Sequence, residues 1–178
     1  MKLRRNIYLA LLVAMALAIS LLESMIPLPF VAPGAKLGLS NIVILVTLIV
    51  FGFKDALIVS VLKSFLLMLI TGAVTSFFYS LAGAILSSIV MWLSYKYLSK
   101  YLSLIGVSIL GACAHNLGQV SVAALMLNNI MIFSYLPILI FVGLFTGYFV
   151  GISSDLVSKK LTRVLKLGGE VENEENDD

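Results

Sequence analysis

The stretch IYLALLVAMALAISLL, residues 7–22, carries no charged side chain. It is longer than the roughly 7–15-residue apolar core of a secretory signal peptide. No small-residue cleavage site leads from it into a polar domain, because further apolar segments follow. We therefore interpret it as a retained first membrane helix, at about residues 7–25, which ends before Pro27 and Pro29.

The composition of the whole chain supports this interpretation. Hydrophobic residues make up 61% and charged residues 12% of the 178, and the mean hydropathy is +1.10. A soluble domain has about 25% charged residues, so this chain has too little polar surface to cover a globule in water. The single cysteine, Cys113, excludes a disulfide framework within one chain. Basic and aromatic residues are not interleaved in a way that would indicate nucleic acid as a partner.

Five further apolar segments follow the first, and turn residues separate them. They are predicted at about residues 39–51, 55–70, 77–95, 104–127 and 133–157. Asp55, after the turn at GFKD, is predicted to be the N-cap of the third helix. At about 20 residues per span, six spans leave no room for a separate soluble catalytic domain. The predicted fold is an all-α integral membrane protein, a six-transmembrane-helix bundle over residues 1–158.

The distribution of basic residues predicts the orientation of the bundle. If the N-terminus is cytoplasmic, ten of the twelve basic residues fall on the cytoplasmic side. These are Lys2, Arg4, Arg5, Lys54, Lys96, Lys100, Lys159, Lys160, Arg163 and Lys166. We predict a multi-pass protein of the bacterial cytoplasmic membrane with both termini in the cytoplasm. Residues 159–167 are expected to form a basic amphipathic segment on the inner leaflet, and residues 168–178 a disordered acidic tail.

The two remaining lysines, Lys36 and Lys63, lie beside or within predicted spans. A charged group in the bilayer centre costs about 2.5–3.5 kcal/mol even on insertion scales, so such groups usually face a ligand, an ion path or a partner charge. Lys36 belongs to the loop PGAKLGLSN, where Gly38 permits close backbone approach, and Ser40 and Asn41 open the second helix. The helix N-terminus and the ammonium together favour an anionic ligand. The alternative is that Lys36 extends to the outer headgroups.

A second polar group lies in the fifth predicted helix, in the sequence HNLGQ. His115 and Gln119 share a helix face and Asn116 lies beside them, so they form either a binding pocket or an interhelical clamp. Lys63 is expected to face these residues, an anionic ligand or Glu23. One histidine with no nearby acid or cysteine does not fill a metal coordination shell, so no metal site and no cofactor are predicted.

Three alanines of the first helix, Ala10, Ala14 and Ala18, recur at four-residue spacing. Residues four apart lie on one helix face, and small side chains allow another helix to approach closely. This strip either packs within the bundle or docks another membrane protein.

The loop PGAKLGLSN followed by a short apolar span, together with the later HNLGQ helix, resembles a known family of small membrane proteins. That family is described both as Gx transporters and as heptaprenyl diphosphate synthase component I. It in turn resembles the substrate-binding (S) components of energy-coupling-factor vitamin transporters, which have six helices and associate with a transmembrane coupling protein and two ATPases. The resemblance covers about residues 5–165.

The resemblance implies roles for particular residues. Ala10, Ala14 and Ala18 match the alanine motif that docks on the coupling protein. Residues 36–41 correspond to the loop that closes over the substrate, and His115, Asn116 and Gln119 to pocket-lining positions.

Two functions follow as expectations. The first is a substrate-binding component of an ATP-driven uptake transporter for a small vitamin-like or anionic solute. The second is a membrane subunit associated with a heptaprenyl or polyprenyl diphosphate synthase in isoprenoid quinone biosynthesis. Prenyl synthases hold magnesium and diphosphate with aspartate-rich motifs, whereas the only Asp-Asp pair here, Asp177-Asp178, ends the chain. The chain is therefore not expected to be an enzyme by itself.

Overall fold

The structure is a computed structural model that describes residues 2–26 and 36–174, with side chains described for 3–26 and 36–166. These residues form helices and turns, without a strand in the described ranges. The six α-helices are α1 (Lys2–Ser24), α2 (Asn41–Val50), α3 (Phe53–Thr71), α4 (Val74–Leu98), α5 (Leu104–Met126) and α6 (Leu136–Glu174). A short 3-10 helix, Ile130–Tyr135, joins α5 to α6. Residues 27–35, which include the first three residues of the loop PGAKLGLSN, lie outside the described residues.

The α-helices of the described residues lie at about the positions of the six apolar segments predicted from the sequence, but two details differ. Asp55 is not the N-cap of α3: Gly52 holds that position, and Asp55 lies in the first turn, where its carboxylate pairs with Arg5. The last helix does not end near Val157 but continues to Glu174, and the location of residues 159–167 on the inner leaflet stays a prediction. The ion pair between Lys159 and Asp155, one turn apart, supports this continuation.

Within the part of the chain that the structure describes, four helices are long and apolar enough to cross a membrane. They lie within residues Leu3–Ser24, Val74–Leu98, Leu104–Met126 and Ile130–Lys166. Helix α2 has only 10 residues, and α3 contains three charged residues, Lys54, Asp55 and Lys63. Large apolar side chains such as Leu69 and Phe141 remain exposed on the bundle surface, as expected where lipid replaces water. The chain is therefore a multi-pass membrane protein.

Helix α2 lies at the centre of the bundle. It contacts α1, α3, α4 and α6, and its residues from Val43 to Leu48 are all buried. A helix that is apolar on every side is stable only when other elements enclose it. The short central helix therefore places its N-terminus, at Ser40 and Asn41, deep inside the protein.

Helices α5 and α6 pack closely along a strip of glycines. Gly143, Gly147 and Gly151 follow one another at four-residue spacing on α6, and small residues at this spacing let two helix backbones approach. A Cβ atom added at Gly151 would lie 2.5 Å from the Cα of Ile105, and one added at Gly147 would lie 2.8 Å from the Cα of Ile109. Any larger side chain would therefore force the two helices apart.

We expect Gly151→Ala to destabilise the protein by about 1–3 kcal/mol, the usual cost of overpacking a well-packed core. Gly106→Ala is the matched control, because the three atoms nearest to its Cβ all belong to the Leu102 side chain and not to a backbone. In the control, the higher helix propensity of alanine, about 1 kcal/mol, should leave stability unchanged or raised. Thermal unfolding in detergent measures both, and equal midpoints for the two variants would contradict this packing.

Candidate functional site

Residues 36–40 lead into α2, and we call them the entering segment. A cluster of buried polar residues, which we call the polar cluster, lies at this segment. Its members come from α1, the segment before α2, α2 itself, α3 and α5, and all but Lys36 are almost fully buried. They are Glu23, Lys36, Ser40, Asn41, Lys63, His115 and Gln119. Polar groups inside a membrane protein usually pair with one another or line a functional site.

The entering segment is tied to α5 and α1 through its backbone. The amide of Gln119 makes two hydrogen bonds with Lys36: its Oε1 accepts from the backbone N–H at 2.9 Å, and its Nε2 donates to the carbonyl at 3.1 Å. The backbone N–H of Gly38 donates to Glu23 Oε1 at 2.5 Å, a charge-assisted contact. These three bonds hold the backbone of residues 36–38 over the cluster.

Gly38 has a conformation and a location that favour glycine. Its φ is +80°, in the left-handed region, which costs other L-residues about 1–2 kcal/mol. A Cβ at this position would lie 3.0 Å from Asn41 Nδ2 and 3.2 Å from His115 Cδ2. The segment can therefore lie against the imidazole only because residue 38 has no side chain.

His115 is enclosed from both sides. A Cβ added at Gly83 of α4 would lie 2.9 Å from His115 Nδ1, so two glycines, Gly38 and Gly83, make room for one ring. Neither ring nitrogen has a hydrogen-bond partner of acceptable geometry among the described residues. The imidazole is thus packed tightly while its two polar atoms stay available.

Lys63 reaches the N-terminus of α2. Its Nζ donates to Ser40 Oγ at 2.6 Å, while Glu23 bonds to the Gly38 backbone instead. The Glu23 carboxyl nevertheless lies near enough to attract the ammonium. From the sequence, the expected partner of Lys63 was Glu23, the HNLGQ residues or a ligand. In the structure, the hydrogen bond of Lys63 goes to Ser40.

Lys36 is less enclosed than Lys63. Partial burial lowers the pKa of the Lys36 ammonium below its ordinary value, and the nearby Glu23 carboxyl partly offsets that effect. Two ammonium groups and one carboxyl thus share the site, which leaves it with a formal excess of positive charge when all three are ionised.

Two further oxygens of the cluster also lack partners. Asn41 Oδ1 and Glu23 Oε2 are buried without a hydrogen bond to any described residue. An unsatisfied buried polar group costs about 1–3 kcal/mol, so groups of this kind call for an explanation such as a water or ligand. The arrangement can offer both donors and acceptors to a small molecule with an anionic part.

Asn116 faces away from the polar cluster. Its Nδ2 donates to the carbonyl of Leu139 at 2.6 Å and lies against Gly143, where an added Cβ would be 2.7 Å away. This contact links α5 to α6, which is the geometry of an interhelical clamp. Of the predicted site residues, the structure brings together Lys36, Gly38, Asn41, Lys63, His115 and Gln119, and it places Asn116 elsewhere.

Sequence reasoning gave Glu23 and Ser40 smaller roles than they have here. Glu23 was considered only as a partner of Lys63, yet it holds the Gly38 backbone. The sequence did contain a signal for the importance of Glu23, because it is the only acidic residue between residues 6 and 54. An acidic residue within a membrane helix indicates a functional position. Ser40 was considered only as the start of α2.

The alanine strip of α1 is exposed. Ala10, Ala14 and Ala18 all lie on the bundle surface, whereas Ala16 is fully buried. Ala10 and Ala14 also line a groove between α1 and α3, at whose end Arg5 pairs with Asp55.

The fold gathers basic residues at one end of the bundle. The Arg5–Asp55 pair joins the start of α1 to the start of α3. Lys96 of α4 lies over the Trp92 ring, which stacks on Phe53 of α3. Ser158 is the last buried residue of α6 among those whose side chains the structure describes, and Lys160, Arg163 and Lys166 beyond it are exposed.

No group of three or more metal-binding side chains (His, Cys, Asp or Glu) occurs among the described residues. Lys63, which points into the polar cluster, would also repel a cation there. The cluster is suited to an anionic or hydrogen-bonding group.

The family description "heptaprenyl diphosphate synthase component I" fits residues 12–157, which include all of α2 to α5 and most of α1. No curated protein matches the chain, and no solved structure does. Because the match covers most of the sequence, the chain belongs to the heptaprenyl diphosphate synthase component I family.

Proposed function

We propose that this chain is a non-catalytic membrane subunit that acts with a soluble polyprenyl diphosphate synthase. The observation that carries the proposal is the family match over residues 12–157. The description "component I" implies a second component, and this chain has no aspartate-rich motif outside its last two residues. The partner would then hold the magnesium and the diphosphate.

The basic end of the bundle supports this proposal by offering a surface to a soluble partner. In six spans with both termini in the cytoplasm, this end faces the cytoplasm. Helix α6 has 39 residues, about 58 Å at 1.5 Å per residue, whereas the hydrocarbon core is about 30 Å thick. The backbone from Ser158 to Glu174 is about 24 Å long at this rise, so α6 is long enough to reach beyond the hydrocarbon core.

We expect charge reversal on this extension to weaken binding of the synthase. The variant Lys160→Glu/Arg163→Glu should reduce affinity at least about tenfold, because it replaces attraction to an acidic surface with repulsion. Lys54→Glu/Lys100→Glu is the matched control, since both lysines are exposed at the same end but lie off α6. Binding of the synthase to nanodisc-embedded protein measures the difference. An equal loss in both pairs would indicate general electrostatics instead of docking on α6.

A second candidate function is a solute-binding component of an ATP-driven transporter. The observation that favours it is the polar cluster, where His115, Asn41 and Glu23 have buried atoms without partners beneath a segment held by three hydrogen bonds. In this function the exposed alanines would dock a coupling protein. Recovery of such a protein and ATPases with the chain would favour this candidate over the first.

A further inference from the structure

The end of the bundle opposite the basic end carries two connections without charge, and we call it the uncharged end. Its connections are residues 72–73, between α3 and α4, and residues 127–129, after α5. No Asp, Glu, Lys or Arg occurs at residues 64–95 or at residues 101–154. Large apolar side chains at or beside the connections are more than half exposed: Leu69, Ile70, Val74, Leu125, Leu127 and Ile130. An exposed apolar surface of this kind indicates contact with an apolar partner.

Aromatic and basic side chains mark the level at which α3 and α4 meet the membrane surface at the basic end. Phe53 of α3 stacks on Trp92 of α4, with ring centroids 4.8 Å apart. Lys96 Nζ lies 5.0 Å from the centroid of the Trp92 ring. Tryptophan at the headgroup level, with lysine beside it, is typical of a membrane–water interface. We therefore take Phe53 and Trp92 as the reference level for the length of both helices.

Both helices are too short to carry their connection from that level to the opposite membrane surface. Helix α3 advances by 18 positions from Phe53 to Thr71, and α4 by 18 positions from Val74 to Trp92. At 1.5 Å per residue this is about 27 Å, and helix tilt shortens the reach further. The hydrocarbon core alone is about 30 Å thick, and the bilayer with its headgroups about 40–45 Å. The α3–α4 connection therefore ends inside the hydrocarbon of the opposite leaflet.

The connection after α5 lies at the same height. A Cβ atom added at Gly118 of α5 would lie 3.0 Å from the Cα of Gly83 of α4, so these two residues are level with each other. From this level, α4 runs back nine positions to Val74 and α5 runs on nine positions to Leu127. Because the two helices are antiparallel neighbours, both connections end at one level.

The backbone of both connections is compatible with a location in lipid. Each N–H group of residues 72–73 and 127–129 donates to an acceptor within the protein. The Gly72 N–H, for example, donates to the Met68 carbonyl at 2.8 Å. Backbone polar groups in hydrocarbon must find their partners within the protein. These donors therefore do not require water.

We propose that acyl chains of the opposite leaflet cover the uncharged end, so that both connections lie in hydrocarbon and not in water. A short span usually thins the bilayer, because its polar flanks must reach water. Here the flanks are apolar, so lipid closes over them without burying a charge. The partner is the acyl part of ordinary phospholipid, since neither connection carries a charged side chain that would hold a headgroup.

This location restricts access to the polar cluster. Lys63 lies eight positions before Thr71 on α3, about 12 Å along the helix. A water-soluble molecule on that side of the membrane would not reach the cluster across either connection. None of these contacts involves a synthase, so the location is expected with or without that partner.

Tryptophan fluorescence in nanodiscs of dioleoyl phosphatidylcholine tests the proposal, because iodide then reaches both membrane faces. Trp92 is the only tryptophan, so Val74→Trp and Leu127→Trp are made in a Trp92→Phe background. Tyr101→Trp is the control, at a position of the basic end that is 84% exposed. We expect iodide to quench the two uncharged-end variants at least about fivefold less than the control, and brominated acyl chains to quench them more. Equal quenching by iodide at all three positions would overturn the proposal.

Bilayer thickness distinguishes lipid from any other cover. In the shorter chains of dimyristoleoyl phosphatidylcholine the connections should approach the water, so the protection of position 74 from iodide should fall at least about twofold. Protection that stays constant with chain length would also overturn the proposal, because the protein itself would then be the cover.

Cysteine labelling repeats the measurement with Trp92 in place. In a Cys113→Ala background, Val74→Cys and Leu127→Cys should react with a membrane-impermeant maleimide at least about tenfold more slowly than Tyr101→Cys. The reason is that a thiol in hydrocarbon does not form the reactive thiolate. Equal rates at the three positions would refute the proposal even if Trp92→Phe disrupted the fold.

Discussion

Replacing Lys63 with methionine should destabilise the protein by about 3 kcal/mol, the typical loss when one member of a buried charged group is removed. Methionine retains the length and apolar stem of lysine. The loss arises because Glu23 is left buried with less compensating charge and Ser40 loses its hydrogen bond. For a chain of this size the unfolding midpoint should fall by roughly 6–12 °C, as measured by thermal unfolding in detergent.

A double variant separates charge from packing. In Lys63→Met/Glu23→Gln no uncompensated carboxylate remains, and replacing both partners is often close to neutral. The double variant should therefore regain most of the lost stability. Lys54→Met is the control on the same helix, since Lys54 is exposed and its replacement should cost less than about 0.5 kcal/mol. If the double variant instead lost as much stability as the two single variants added together, an electrostatic link between Glu23 and Lys63 would be contradicted.

Replacing Gly38 with alanine should detach the entering segment from the polar cluster. Two costs combine: about 1–2 kcal/mol for the left-handed backbone, and about 1–3 kcal/mol for crowding Asn41 and His115. We expect faster hydrogen exchange at the amide of residue 38, because its bond to Glu23 would open. Hydrogen exchange followed by mass spectrometry, together with thermal unfolding, measures the effect.

Gly72→Ala is the control for that variant. Gly72 also has a positive φ, +68°, but an added Cβ would meet nothing within 4 Å. It should therefore show the backbone cost alone, about 1–2 kcal/mol, and leave exchange around Gly38 unchanged. Equal destabilisation in the two variants would mean that the segment does not pack against His115 as described.

The helices could be predicted from the sequence because apolar runs and turn residues are local signals. The run at residues 7–22 and the turn at GFKD set α1 and the α2–α3 connection within a few residues. The end of the last helix was less predictable. The basic residues from Lys159 onwards suggested that the last helix ends near Val157, yet it continues to Glu174.

The side-chain partners could not be predicted in the same way, because they join residues far apart in the chain. Asp55 looked like a local N-cap, but its partner Arg5 lies 50 positions earlier. HNLGQ suggested one polar face, yet Gln119 bonds to Lys36 and Asn116 to α6. Asn116 bonds to α6 because α6 packs against that side of α5. The spacing of residues within α5 does not reveal where α6 lies.

The most direct test of the proposed function is recovery of the tagged full-length chain from native membranes in mild detergent, followed by mass spectrometry of the bound proteins. We expect a polyprenyl diphosphate synthase to be recovered with the chain, and to be lost on charge reversal at Lys160 and Arg163. Recovery of a transmembrane coupling protein with two ATPases, and no synthase, would contradict the proposal and assign the polar cluster to solute uptake.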